Sequence, residues 1–296
     1  MNYEKEKKFA AAFSVLSNTT LIVIKLVAGF ISGSISIISE AIHSMSDLLA
    51  SIMALFSITK SSEPADAEHQ FGHGKYEDFS GLVEGALIIL ASFYIVYEAG
   101  IRIISHSGEQ IETKLGIVVM AFSVIVNILV SNYLKKIAKK SDSIALYADA
   151  EHLRTDVYSS LAILIGLILI KLTDIHILDP IFAIIVAVII LTTGFDICKK
   201  STNNLLDGAL PEEENKIISR IFEERELKEN IKFINLKTRK SGMYRQIEFT
   251  ILLEAHKTIN EGHVLCDEIE TQIEKELGNT SFLIHLEPFT QNNCIK

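Results

Sequence analysis

Residues 144–170 read IALYADAEHLRTDVYSSLAILIGLILI, and this stretch decides the fold. From Leu161 to Ile170 every residue is apolar or glycine. With the apolar positions before it, the run reaches the roughly 20 mostly apolar residues a helix needs to cross a bilayer core. Yet it carries His152, Arg154 and Asp156. Ionisable groups are tolerated in such a helix when they face the interior of a bundle. The stretch therefore predicts one span of a polytopic membrane bundle.

Working outward, five further runs have the same character, at about 10–32, 36–59, 79–104, 112–134 and 178–198. The first contains Asn18 and Lys25, and the second His43 and Asp47. Pro180 suits the start of the last run, where a missing N–H costs little. The N-terminal MNYEKEKKFA leads into an apolar run, but no small-residue cleavage signal follows convincingly, so it reads as a retained first helix. Six spans over residues 1–207, then a polar tail over 208–296, is the expected division. A soluble helical protein does not fit so many long apolar runs.

The averages hide this division. Apolar residues make up 49% of the 296-residue chain and charged residues 22%, close to an ordinary soluble protein. The charges crowd the last third, as in PEEENKIISRIFEERELKE at 211–229. A net charge of -9 with no dense basic patch argues against nucleic acid as a partner. Cys198, Cys266 and Cys294 have neither metal-binding nor disulfide spacing.

Positive charges between spans set the orientation. Lys5, Lys7 and Lys8 precede the first span, and Lys60 and Lys75 lie between the second and third. Lys135, Lys136, Lys139 and Lys140 follow the fourth, and Lys199 and Lys200 end the sixth. The opposite side has Arg102, Lys114 and Lys171. Both termini are expected in the cytoplasm of a bacterial inner membrane.

The tail changes period. Ile217, Ile218, Ile221 and Phe222 form an apolar helical stripe. IKFINLKTRK and RQIEFTILLEA read as strands around an SGMY turn, Glu261 to Leu277 as an amphipathic helix, and SFLIHLEP as a closing strand. The fold class is thus an all-α six-helix transmembrane bundle followed by an α+β cytosolic domain of order αββαβ. About 85 residues give a modest core, which dimerisation would help to cover.

The chemistry lies in two spans. SEAIHSMSDLL at 39–49 puts His43 and Asp47 four apart, on one helix face. ADAEHLRTDVYSS at 148–160 repeats the spacing with His152 and Asp156. A single pair is often just a hydrogen bond. Two pairs in neighbouring helices supply two imidazoles and two carboxylates, a tetrahedral set suited to zinc. Metal needs neutral imidazole and ionised carboxylate, so protons compete with it for the same atoms. The expected activity is proton-coupled antiport: the ion enters from the cytoplasm, the bundle rocks, and protons displace the ion outside. Asn18, Ser39, Glu40, Ser44, Ser123 and Asn127 are available to orient ligands or to glue helices together. Arg154 faces either the cytosolic entrance or a partner helix.

In the loop EPADAEHQFGHGKYED, Asp66, His69 and His73 read either as a peripheral metal site or as a solvated polar surface. The glycines around His73 are no phosphate loop, since the lysine–serine/threonine ending is missing.

These features together resemble the cation diffusion facilitator family, and within it the bacterial ferrous-iron and zinc efflux branch. The resemblance rests on the six-span order, GSISIISEAIHSMSD, PADAEHQFGHGKYE, YADAEHLRTDVYSS, LLDGALPEEE and SFLIHLEP, and covers nearly the whole chain. It implies a ferredoxin-like, metallochaperone-like tail and a homodimer working by alternating access. It also implies a transport site of His43, Asp47, His152 and Asp156, and a loop site of Asp66, His69 and His73. Lys75 and Asp207 match a charge interlock that holds two protomers together.

Two departures stand out. The branch usually has an aspartate where this chain has His43, and imidazole in place of a hard oxygen ligand favours zinc over manganese. The expected ranking is zinc, then cobalt or iron, then manganese. In the tail, His263, His285 and Glu287 match the branch's binuclear site, but Ile234 and Thr250 replace two other ligands. A reduced single site, or an interface that needs no metal, is implied. An exporter of another ion and a non-transporting membrane metal sensor are the rival readings. A membrane metalloprotease fits worse still, since no HExxH motif places a glutamate base beside zinc ligands.

Overall fold

The computed structural model describes residues 2–32, 35–105, 114–173 and 178–289. The chain divides into two compact units, Met1–Thr202 and Asn203–Lys296.

The first unit is helical: α1 (Asn2–Ser32), α2 (Ile35–Ser61), α3 (Lys75–Ser105), α4 (Lys114–Ser141), α5 (Ile144–Thr173) and α6 (Leu178–Leu205), the last running on into the second unit. Several helices extend past the apolar runs; α1 begins at Asn2 and α4 continues to Ser141. Hydropathy marks only what suits hydrocarbon, whereas MNYEKEKK and KKIAKK are also good helix formers in water. Among the described residues, Tyr3–Ile31, Lys75–Ile101 and Ala121–Ser141 are long and apolar enough to cross a membrane.

Within the bundle α1 packs on α2 and α4, while α5 contacts α1, α2, α3 and α4. Ile58, Leu134, Leu146 and Leu153 are fully buried, whereas Phe30, Ile31, Leu90 and Ile104 point outward, as lipid requires of a surface that water never sees. Close approach of α3 to α6 depends on small residues. A Cβ on Gly81 would stand 2.7 Å from Ser201 Oγ, and one on Gly85 2.8 Å from Cys198 Sγ. This small-xxx-small spacing lets helix backbones pack without a side chain between them.

One end of the bundle is closed by charge. Lys7 Nζ donates to Glu77 Oε1 at 2.6 Å, and Ser61 Oγ donates to the same oxygen at 2.9 Å. Ser143 Oγ donates to Glu77 Oε2. Lys7 and Glu77 are each 1% exposed, so α1, α2, α3 and the start of α5 are tied at a dry point. Full pairing of this kind offsets the cost of burying a carboxylate.

The second unit holds α7 (Glu212–Lys228), β1 (Lys232–Ser241), β2 (Tyr244–Leu253), α8 (Ile259–Leu277) and β3 (Thr280–Pro288). The sheet order is β1-β2-β3, with β1 and β2 antiparallel and β2 and β3 parallel. A parallel pair needs a crossover, and α8 supplies it. Ser241 and Tyr244, which the sequence reading places in a turn, form the last strand pair. Only Gly242 and Met243 remain in the loop, and Gly242 takes φ +57° without a Cβ to object. β1 also bulges between Ile234 and Lys237, with Asn235 at φ +56°.

Between sheet and helices lies one core: Ile218, Ile221 and Phe222 of α7, Ile247, Phe249 and Ile251 of β2, and Leu265, Ile269 and Ile273 of α8. Phe222 and Phe233 stack with centroids 4.0 Å apart. Thr258 and Glu261 complete a capping box that starts α8.

Candidate functional site

α2 and α5 meet in the interior of the helical unit. There His152 Nε2 lies 3.2 Å from Asp47 Oδ1, joining two helices 105 residues apart in sequence. The side chains are 10% and 9% exposed. One member of each predicted i,i+4 pair is thus brought together across the helix boundary. Asp156 follows one turn after His152 on α5 and is partly buried. His43 precedes Asp47 by one turn on α2, and its side chain lies outside the described residues, as do those of Ser39 and Glu40.

Around this pair runs a hydrogen-bond chain. Asn18 Nδ2 of α1 donates to Ser51 Oγ at 2.7 Å and lies 3.5 Å from the Asp47 carbonyl oxygen. Ser51 Oγ donates to Asp149 Oδ1 at 2.8 Å, and Ser14 Oγ stands 3.1 Å from Ser51 Oγ. Asn18 therefore acts in both ways open to it: it ties α1 to α2 and braces the turn that carries Asp47. Lys25 Nζ donates to Ser44 Oγ at 2.7 Å, one turn of α2 from Asp47 on the same buried side. Ser123 bonds back to the Val119 carbonyl oxygen of its own helix, so it is bound within α4 rather than to a neighbour. Asn127 Oδ1 is buried with no hydrogen-bond partner among the described residues. Arg154 donates to Asn132 Oδ1 at 3.0 Å and lies 3.5 Å from Glu151, which also pairs with Lys135. It faces a partner helix, α4.

The sequence reading passed over Asp149, Ser51 and Glu84. Asp149 lies three residues before His152, inside the motif that carries the pair, and both Asp149 and Glu84 are fully buried. The available signal was an acidic residue within an apolar run; what was missing was the face each would turn to.

The loop site is geometrically closed. Ligand atoms of Asp66, His69 and His73 all lie within 4.8 Å of one another. Asp66 Oδ1 accepts backbone N–H bonds from His69 at 2.6 Å and Glu68 at 2.9 Å. Its Oδ2 lies 3.3 Å from His73 Nε2. Gly72, at φ +81°, turns the chain so that His73 comes back over His69, with ring centroids 4.5 Å apart. The His69 backbone N–H, reinforced by that of Glu68 and by the two histidines, holds the Asp66 carboxyl below its ordinary range. His73 is 5% exposed. Two imidazoles and an ionised carboxylate are three of the four ligands of a zinc-type centre.

In the second unit the matching residues are less concentrated. His285 Nε2 is 3.3 Å from Glu287 Oε1, while His263 Nδ1 is 3.8 Å from Asp267 Oδ1. Ile234 pairs with Thr250, and Thr250 with His285, in one row across the sheet. The two non-ligating residues thus sit beside the surviving histidine. Asp207, at φ +56°, lies 3.4 Å from Arg239 Nη1, while Lys75 opens α3.

A membrane-type helix bundle with a buried His–Asp pair in its interior, followed by an αββαβ domain, is the architecture of a cation efflux transporter. The chain belongs to the cation efflux family: residues 11–206 match the cation efflux transmembrane domain and residues 210–289 the cation efflux protein cytoplasmic domain. It is 35% identical to an uncharacterized transporter of Synechocystis sp., over 90% of this chain and 85% of that one. It is 29% identical to the cation-efflux pump FieF of Shewanella oneidensis, covering 97% and 95% of the two chains. The FieF pump of Yersinia enterocolitica is 30% identical over 97% and 94%. A solved structure of CzrB in its zinc form shares 31% identity over 27% of this chain and 90% of that one, with a TM-score of 0.26.

Proposed function

We propose that this cation efflux protein is a proton-coupled antiporter that exports Zn2+ from the cytoplasm by alternating access. The observation that carries the reading is the buried 3.2 Å approach of His152 to Asp47, which makes one site out of two helices. His43 and Asp156, one turn away on each helix, complete a set of two imidazoles and two carboxylates. Those carboxylates offset the charge of a divalent ion stripped of water, and the imidazoles favour zinc over harder ions. Each ligand that binds metal must first release or lack its proton, so a proton gradient can load and empty the site in opposition.

The division of labour follows the chain. Residues 1–207 carry the ion, and residues 208–296 form the cytosolic platform on which two copies meet. Lys75 and Asp207 serve as the interlock between protomers. Asp66, His69 and His73 hold a peripheral metal. His263, His285 and Glu287 provide at most a reduced site, because Ile234 and Thr250 put no ligand beside them. The protein lies in the inner membrane with both termini in the cytoplasm.

Uptake into inverted or reconstituted vesicles under an imposed pH gradient tests this. Zinc movement should follow the gradient and exceed that of iron, cobalt and manganese, and D47A and D156A should abolish it in folded protein. Vesicles that move no metal, or a flux indifferent to the gradient, defeat the proposal.

A further inference from the structure

Two carboxylates lie deep in the helical unit, and neither is a member of the transport set. Glu84 of α3 and Asp149 of α5 are both 0% exposed. Each has one oxygen satisfied by a serine: Ser80 Oγ donates to Glu84 Oε1 at 3.0 Å, and Ser51 Oγ to Asp149 Oδ1 at 2.8 Å. The other oxygens, Glu84 Oε2 and Asp149 Oδ2, are buried with no hydrogen-bond partner among the described residues. Both stand where α3 meets α5: Gly81 approaches Ile144, and Ile88 shares a buried cluster with Ala148. Burying ionised carboxylates is tolerated when they are paired or coordinate a cation.

We propose that Glu84 and Asp149 form a second cation-binding station, built from oxygen ligands alone, which holds the divalent ion beside the transport site before its ligands close on it. The inference rests on the transport reading for its role in flux, but not for the binding itself. Asp149 is three residues before His152, about 4.5 Å along the helix axis at 1.5 Å per residue. That displacement is toward the end where Lys7, Glu77 and Ser143 meet, which the transport reading places on the cytoplasmic side. Two carboxylate oxygens with the Ser51 and Ser80 hydroxyls suit a hard divalent cation, and bind zinc less tightly than a site with imidazole. Weakness is what a passing place needs, since an ion must leave as readily as it arrives.

Purified full-length protein carrying D47A, D156A and D66A provides a background without the transport and loop sites. Mn2+ titrated into it and followed by electron paramagnetic resonance should still bind in the helical unit, and adding E84Q or D149N should weaken that binding at least tenfold. E84D, which keeps the charge one methylene shorter, should retain part of it. Mn2+ binding unaltered by E84Q and D149N overturns the station, as does equal loss in E84D and E84Q, which marks a packing role. In the otherwise native chain, E84Q should leave zinc affinity at the transport site within threefold and lower zinc flux about tenfold. Unchanged flux overturns the transit role. If native vesicles move no metal, the antiport reading fails while the Mn2+ result stands or falls by itself.

Discussion

Replacing Asp47 by Asn keeps the size of the side chain and removes one of the negative charges that face a bound ion. Asp47 is buried, and its Oδ1 stands 3.2 Å from His152 Nε2 across the α2–α5 contact, so bulk water does not compensate for the loss. Truncating one partner of a buried, hydrogen-bonded charge pair costs about 2–5 kcal/mol. At about 1.4 kcal/mol per factor of ten, that is roughly a 30-fold to several-thousand-fold rise in the Kd for zinc. Calorimetry on purified native and D47N protein measures it directly, with D66N as a comparison that leaves the helix site intact. D47N should lose the helix-site component of zinc binding together with gradient-driven flux, whereas D66N should lose only the loop component and keep the flux. A D47N/D66N protein that binds zinc within threefold of the D66N affinity would refute the claim that Asp47 is a ligand.

H43D, which gives α2 an oxygen ligand in place of imidazole, should broaden flux toward manganese and cadmium in ion-competition assays; unchanged selectivity would disprove the ligand argument. Thr258→Ala breaks the capping box of α8 and should destabilise the second unit by about 1 kcal/mol, read as lowered hydrogen-exchange protection along that helix. The Asp66 carboxyl is held below its ordinary range, so the stability it lends the loop is complete above the usual aspartate pKa of about 3.9 and disappears only as pH falls through its lower folded value. NMR of His69 and His73 should therefore show the loop geometry persisting below pH 4 in native protein and independent of pH there in D66N. A loop that loses its order already at pH 5 would contradict this.

Much of this was legible from residues alone because it depends on near neighbours. Apolar runs mark membrane helices since every polar group there is expensive, and the His-x-x-x-Asp spacing places two ligands on one face by helix geometry alone. The element order of the tail followed in the same way from period-2 and period-3.6 patterns. The SGMY turn holds as the four residues of a tight hairpin, while the bulge between Ile234 and Lys237 is set by backbone angles that composition does not carry.

How one helix is rotated and set in depth against another is the sum of many distant contacts, and no segment carries that sum by itself. Packing alone therefore decided that Asp47 meets His152, that Asn18 and Ser51 link α1 and α2 to Asp149, and that Glu77 gathers Lys7, Ser61 and Ser143. Packing also turned Glu84 inward, out of reach of solvent. The sequence by itself determined which side chains were available and which helix face each occupied; the tertiary structure decided which faces touch, because burial of those faces is shared among several helices at once.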